Sequence, residues 1–257
     1  MLSEYPLQPS IASFDAKRAK AWFSEKLGIE PTIEWPDGQL DYRLGSSGFG
    51  VYEAGSAGTA KNTVASWNVP DVAAEVARLR ARGVAFEDYD FGDFKTVDGI
   101  MTDPDGNKTA WFKDADGNIH TLVSIPQTPD AKVTAMIATA DLDRATRFYE
   151  ETLGFRRVYE YDGEVVAYGS GPGSFAVYRT TFAGTAQNTI AGWEVADLRA
   201  EVAALRARGL AFEDLEFGRN KTVDGIAADP EGSHQAWFRD PDGNWLTIRE
   251  EHDQPPA

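Results

Sequence analysis

The chain has 257 residues, 42% of them hydrophobic and 26% charged, which is typical of a soluble globular protein. Its net charge of −16 argues against nucleic acid and against anionic membrane surfaces, since both require a basic face. Because cysteine is absent, disulfides, thiolate nucleophiles and thiolate metal sites are excluded. No apolar run reaches the roughly 18 residues of a membrane span, and the first residues lack the regions of a signal peptide. We therefore expect a cytoplasmic protein.

The first sixty residues predict a strand, a helix and further strands. Residues 7–14 are mostly apolar and predict the first strand. Asp15 is a candidate N-cap for a helix over 16–27, which Gly28 ends. Turn-forming residues then separate three predicted strands, 31–35, 40–44 and 49–53.

The same order recurs after a loop rich in Gly, Ala and Ser. Residues 63–69 predict a strand, and Asp71 is a candidate N-cap for a helix over 72–82, ended by Gly83. Further strands are predicted over 85–89, 109–113 and 119–125. Each half of the chain is therefore predicted to contain two strand–helix–strands units.

The second half repeats the first at an offset of 126 residues (221 − 95). Residues 95–100, Lys-Thr-Val-Asp-Gly-Ile, return as 221–226, and the Asp-Gly-Asn turn at 116–118 returns at 242–244. This period suits a small domain, because solenoid repeats run from about 20 to 50 residues. We therefore predict two domains, 1–126 and 127–257, with a proline-containing linker near 125–132 and a frayed tail over 250–257.

Three motifs together point to a known family. The first is an Asp-capped helix with an aromatic pair and a terminal Leu-Gly, as in Asp141 to Gly154. The second is a strand leading into Asp-x-x-x-Glu-Val-Ala-x-Leu-Arg-Ala-Arg-Gly. The third is Ala-Trp-Phe-Arg-Asp-Pro-Asp-Gly-Asn at 236–244. The chain resembles the vicinal oxygen chelate superfamily, which includes glyoxalase I, bleomycin- and fosfomycin-resistance proteins and extradiol dioxygenases.

The resemblance implies an α+β fold of tandem glyoxalase-like domains. Each domain would consist of two βαβββ units whose curved mixed sheet surrounds a cavity, so that four units would form two cavities. In this family cavities can also form between subunits, and a fused pair could satisfy that pairing within one chain.

The resemblance also implies where a metal would bind. Metal enzymes of the family place His, Gln or Glu at four inward strand positions. In the two halves these positions fall on Gln8 and Thr134, Val64 and Ile190, Thr121 and Thr247, and, near the fourth strand, Tyr52 and Tyr178. Of these residues, Gln8 alone offers a suitable ligand, whereas an ion needs three or four from His, Asp, Glu or Cys. We therefore expect no metal and no cofactor.

Other titratable residues are weaker candidates. His120 precedes the inward Thr121 and so points to the opposite face of its strand, while His234 falls in a turn region and His252 in the tail. We interpret all three as solvated side chains. Glu53 and Glu194 could act as surrogate ligands or general bases, and Glu194 shares strand parity with Ile190. We favour solvated carboxylates for both.

An aromatic-lined cavity remains as the functional feature. By similarity to drug-binding members of the family, Trp111 and Trp237 face the ligand, with core packing as the alternative. Trp67 and Trp193 are predicted to face the helices. The full set of candidate ligand-binding residues is Gln8, Tyr52, Thr109, Trp111, Thr121, Thr134, Tyr178, Glu194, Gln235, Trp237 and Thr247.

Three hypotheses for function remain. The first is a metal-independent binding protein that holds a partly aromatic metabolite or antibiotic, for sequestration or resistance. The second is a lyase, isomerase or dioxygenase-type enzyme with a degenerate or absent metal site, using Gln8, Tyr52 or Glu194. The third is a scaffold whose cavities are plugged by bulky side chains. The expected partner is a small molecule, with the chain as a monomer or homodimer, and catalytic residues stay unassigned.

Overall fold

A computed structural model describes residues 2–36, 38–91, 94–104, 106–124, 133–217, 220–228 and 234–250. The predicted linker, His252 and all but the first residue of the predicted tail lie outside these ranges. No helix of the described ranges is long and apolar enough to cross a bilayer.

The described residues of the first half form two α-helices and ten strands. In chain order they are β1 (Leu7–Ser13), α1 (Ala16–Trp22), β2 (Ile33–Glu34), β3 (Leu40–Leu44), β4 (Ser47–Glu53), β5 (Thr63–Asn68), α2 (Val72–Ala81), β6 (Asp90–Phe91), β7 (Phe94–Val97), β8 (Ile100–Thr102), β9 (Lys108–Lys113) and β10 (Ile119–Val123). A short 3-10 helix, Leu2–Glu4, precedes them, and a π-helical turn, Phe23–Leu27, extends α1.

The second half repeats this order. Its elements are β11 (Val133–Thr139), α3 (Leu142–Arg147), β12 (Arg157–Tyr161), β13 (Val165–Ser170), β14 (Gly173–Arg179), β15 (Thr189–Val195), α4 (Leu198–Ala207), β16 (Glu216–Phe217), β17 (Asn220–Val223), β18 (Ile226–Ala228), β19 (His234–Arg239) and β20 (Trp245–Glu250). A π-helical turn, Phe148–Thr152, extends α3.

Helix starts follow the predicted caps. The Asp15 carboxylate accepts hydrogen bonds from the backbone N–H groups of Lys17 and Arg18, which have no partner within the helix. Asp71, Asp141 and Asp197 cap the other three helices in the same way.

The strands form two mixed sheets of ten, and each sheet combines one unit from each half. The first sheet has the order β16-β17-β18-β19-β20-β15-β1-β4-β3-β2, and the second β12-β13-β14-β11-β5-β10-β9-β8-β7-β6. The joins are antiparallel, between β1 and β15 and between β5 and β11. The α+β fold of repeated units is confirmed, but no half closes a sheet by itself, so the division into 1–126 and 127–257 stays a prediction about the repeat.

The Asp-x-Asp-Gly-Asn turns hold each half together across the two sheets. Asp116, between β9 and β10, accepts hydrogen bonds from the Ser13 hydroxyl at 2.7 Å and the Phe14 N–H at 3.0 Å. The Asn118 amide donates to the Ala12 carbonyl at 2.9 Å. Asp242 and Asn244 make the same contacts in the second half. A turn of one sheet is therefore fixed to the start of α1 or α3, beside the other sheet.

The repeated Lys-Thr-Val-Asp-Gly-Ile sequence forms the hairpin of β7 and β8, whose strands the sequence analysis missed. Asp98 and Gly99 have φ angles of 50° and 69°, as the two central residues of a type I′ turn require. The strand predicted over 85–89 is reduced to one bridge, between Phe86 and Phe112.

One hydrophobic core runs between the helices and both sheets. Trp67 and Trp193 are buried in it, as predicted. Trp193 stacks on Phe155 and Phe238 with ring centroids 5.6 and 6.1 Å apart. The opposite face of the first sheet lines a cavity.

Candidate functional site

A row of four paired residues crosses the first sheet. Gln8 on β1 pairs with Gly192 on β15, which pairs with Thr247 on β20, which pairs with Trp237 on β19. All four line one cavity of about 520 Å³. This volume lies within the range of small-molecule sites, about 300–1,000 Å³.

The cavity draws its lining from both halves of the chain. Of the predicted ligand-binding residues it contains Gln8, Tyr52, Glu194, Gln235, Trp237 and Thr247. Gln8 and Tyr52 come from the first half and the other four from the second. They meet because β1 pairs with β15 of the other half, which is the pairing within one chain that the sequence analysis left open.

The remaining predicted residues belong to the second sheet. There the matching row is Thr134, Ser66, Thr121 and Trp111. Thr109 lies two residues before Trp111 on β9, and Tyr178 lies on β14.

Two further contacts lie in the second sheet. The Trp111 ring packs edge-on against Tyr89, with centroids 5.6 Å apart, where the repeat of Tyr89 is Leu215. The Tyr161 hydroxyl at the end of β12 donates at 3.3 Å to Asp103, which follows β8.

A charged cluster borders the cavity, and sequence reasoning missed most of it. One Nη of Arg249 lies 3.3 Å from an Asp41 carboxylate oxygen and 3.7 Å from a Glu194 oxygen. Asp41 is buried and also accepts from Trp35 Nε1 at 2.8 Å and from the Gln39 amide at 2.9 Å. The sequence did contain a signal, because Arg249 lies two residues after Thr247 and so shares its strand face.

Two expected placements differ in the structure. Ile190 and Val64, aligned with a ligand position, are buried in the core. The register of β15 against β20 shifts between Thr189 and Ala191, so that Gly192 takes the inward place. A bulge of this kind changes which residues face inward and cannot be read from alignment on the helix caps.

Two of the histidines also differ from their interpretation as solvated. His120 points away from the cavity as predicted, but it is fully buried between Trp67 Nε1 and Asp114. His234 lies in β19 rather than a turn, with its Nδ1 2.7 Å from Glu250.

Comparison with known proteins gives the family. The sequence profile of the Glyoxalase/Bleomycin resistance protein/Dioxygenase superfamily matches residues 133–248. The second half of the chain belongs to this superfamily. The first half repeats the motifs and the order of elements of the second.

Solved structures of the superfamily share the tandem fold. Glyoxalase I from Zea mays has a TM-score of 0.67 and 16% identity, covering 95% of this chain and 92% of that chain. A dioxygenase candidate from Bacillus subtilis has a TM-score of 0.60 and 16% identity, covering 97% and 85%. No curated protein matches the chain in sequence. These likenesses show the fold and leave the ligand to the chemistry of the site.

The side chains at the superfamily's metal positions do not fit a metal. The Tyr52 hydroxyl donates to the Thr189 carbonyl at 3.0 Å, and burial raises its pKa to about 12. The Thr247 hydroxyl donates to the Ala236 carbonyl and accepts from the Gln235 amide, both at 3.0 Å. Gly192 has no side chain. Across the described residues, no three His, Asp or Glu side chains are grouped closely enough to hold an ion.

Glu53 and Glu194 both line the cavity but differ in their contacts. A Glu53 oxygen accepts from the backbone N–H of Ala16 at 3.1 Å, so this residue supports the start of α1. Glu194 extends from β15 beside Arg249. Glu53 therefore supports a helix start, whereas Glu194 lies beside the charged cluster.

Proposed function

We propose that this protein is a metal-independent binding protein that holds a small, partly aromatic molecule in the cavity of the first sheet. The observation that carries the proposal is the row of Gln8, Gly192, Thr247 and Trp237 on the cavity face. The Trp237 indole lies at one end of this row and the Gln8 amide at the other. Between them, Gly192 and Thr247 form a cavity floor without a bulky side chain.

The polar groups in the wall support binding rather than metal catalysis. Gln8 and Gln235 offer amide donors and acceptors, which fix a ligand's orientation without reacting with it. The wall of Trp237 offers aromatic stacking, which contributes about 0.5–1.5 kcal/mol beyond area burial.

The first sheet is favoured over the second as the binding site. Gln8 and Gln235 correspond in the repeat to Thr134 and Thr109, which have shorter side chains and no amide. We therefore expect one ligand per chain.

The test is calorimetric titration of a panel of ring-containing natural products into the purified chain, with tryptophan fluorescence as a second readout. We expect saturable binding with a stoichiometry near one per chain. Trp237→Leu should weaken binding by about tenfold, corresponding to about 1.4 kcal/mol of lost contact with the indole ring.

Trp111→Leu is the matched control, because it changes the corresponding residue of the second sheet. It should leave binding unchanged. Absence of saturable binding across the panel would refute the proposed function, and a larger effect of Trp111→Leu than of Trp237→Leu would refute the assignment of the site. Binding should also survive dialysis against EDTA.

A further inference from the structure

The charges around the cavity of the first sheet are unbalanced. Arg249 is the cation that the described residues contribute to its lining, and it lies between the carboxylates of Asp41 and Glu194. Glu53 contributes a third carboxylate at the rim. One basic side chain therefore lies among three acidic ones.

Asp41 and Glu194 hold Arg249 differently. Asp41 accepts hydrogen bonds from Trp35, Gln39 and Arg249, so its oxygens are satisfied within the protein. The contact between Glu194 and Arg249 is 3.7 Å, too long for a hydrogen bond. The Arg249–Asp41 pair is thus self-contained, and the Glu194 carboxylate keeps acceptor capacity beside the cavity.

We propose that the ligand is an organic cation, a protonated amine or amidine on a ring, with Glu194 as its counter-charge. This inference rests on the proposed binding function and specifies its ligand class. The ring lies in the part of the cavity walled by Trp237, where an indole also attracts cations. The amide of Gln8 provides a neutral acceptor for further N–H groups.

An anionic ligand would be less well accommodated. Its natural anchor is Arg249, but the guanidinium already faces two carboxylates within 4 Å. A bound carboxylate would be the third negative charge at this cation. The net charge of −16 would also slow the approach of an anion and favour that of a cation.

The repeat shows that these charges are specific to one cavity. At the offset of 126, Glu194 corresponds to Asn68, Arg249 to Val123 and Asp41 to Ala167. If the cluster served only the stability of the repeated fold, the second sheet would be expected to contain the same charged residues.

The experiment compares indole compounds that share a ring and differ in charge. Tryptamine is the cation, 3-methylindole the neutral compound and indole-3-acetate the anion, each titrated by calorimetry at pH 7. Benzylamine, toluene and benzoate form a second series. We expect the cation to bind most tightly in each series, with an affinity that falls as salt is added.

Glu194→Gln tests the counter-charge, because it keeps the shape of the side chain and removes its charge. It should weaken binding of the cation by about tenfold or more and leave the neutral compound unchanged. Asn68→Ala, at the corresponding place in the second sheet, is the control and should change neither. Urea midpoints of both variants verify that each remains folded.

The outcomes separate this inference from the function on which it rests. If the neutral or anionic compound binds as tightly as the cation, or if Glu194→Gln affects all three equally, the ligand class is refuted while the binding function stands. If no compound of either series and no member of the natural-product panel binds, the binding function is refuted and the ligand class with it.

Discussion

Each half buries one aspartate and supplies its hydrogen-bond donor from a different side chain. The effect of Phe23→Tyr on stability is therefore predicted to have opposite signs in the wild type and in the His120→Leu variant. In the first half the buried Asp114 carboxylate lies 3.3 Å from His120 Nε2, and His120 Nδ1 accepts from Trp67 Nε1 at 3.2 Å. Because an indole N–H can only donate, Nε2 carries the imidazole proton and donates it to Asp114.

In the second half a tyrosine takes the place of the histidine as donor. The Tyr149 hydroxyl donates to Asp240 at 3.0 Å. Tyr149 corresponds to Phe23 in the first half, and Leu246 corresponds to His120. The buried carboxylate therefore receives a hydrogen bond from His120 in the first half and from Tyr149 in the second.

His120→Leu should strongly destabilise the chain. It removes a hydrogen bond to a charged group, about 1.5–3 kcal/mol, and leaves the Trp67 indole N–H unpaired, about 1–3 kcal/mol. The loss in free energy of unfolding at pH 7 is therefore about 3–5 kcal/mol. Urea titration followed by tryptophan fluorescence measures it.

Phe23→Tyr then supplies the donor of the second half. In the His120→Leu background it should restore about 1.5–3 kcal/mol, because the new hydroxyl replaces the lost donor to Asp114. In the wild-type background it should destabilise by about 1–3 kcal/mol, because Phe23 is 1% exposed and the added hydroxyl would be buried beside an Asp114 carboxylate that His120 already contacts. The same sign in both backgrounds would refute the reasoning.

The dependence on pH gives a second check of the same change. Burial raises the pKa of the Asp114 carboxyl, but hydrogen bonds from His120, from the Asn118 amide and from the Asp116 N–H lower it below its usual range. Stability from Asp114 is therefore present above the unfolded-state pKa and lost as the pH falls. The defect of His120→Leu should shrink as the pH falls below the ordinary aspartate pKa of 3.8, and a defect that stays constant there would contradict this account.

Three further predictions concern other parts of the fold. Burial raises the pKa of Asp240 from 3.8 to about 6, so its protonated form stabilises the folded state below about pH 4 and this contribution is lost as the pH rises through 6. The free energy of unfolding of Asp240→Asn minus that of the wild type should therefore rise by up to about 3 kcal/mol from pH 4 to pH 7. Urea midpoints measure this difference, and parallel pH profiles would contradict it. Gly192→Ser, the residue of the second sheet, places a Cβ 2.5 Å from the Thr247 methyl; it should destabilise by about 1–3 kcal/mol and weaken calorimetric ligand binding, whereas unchanged binding would argue against this cavity floor. Gly99→Ala places a Cβ 2.8 Å from the Phe86 Cβ at a φ of 69° and should lower the thermal midpoint more than Gly38→Ala, which meets open space; equal losses would contradict the packing argument.

Helices and their ends could be predicted from the sequence because their causes are local. Asp15 and Asp71 reach backbone N–H groups only two or three residues away, and Gly28 has the positive φ that ends a helix without steric cost. The hairpin at Asp98 and Gly99 had an equally local signal, but its strands are four and three residues long and show little alternation.

Which residues share a cavity depends on contacts that are distant in the chain. Gln8 and Trp237 lie 229 residues apart (237 − 8), and they meet because β1 pairs with β15 rather than with a strand of its own half. The pairing joins equivalent sheet edges, and a repeated sequence offers the same edges twice. Sequence alone therefore favours neither partner.

The sequence by itself determined the repeat, the helices, the resemblance to the superfamily and six of the cavity residues, since each follows from a short pattern. Tertiary structure decided that these six line one cavity, that Gly192 rather than Ile190 faces inward and that Arg249 lies between Asp41 and Glu194. The physical reason is that strand register and sheet order are set by hydrogen bonds between strands, and a single shifted pair changes which side chains face the cavity.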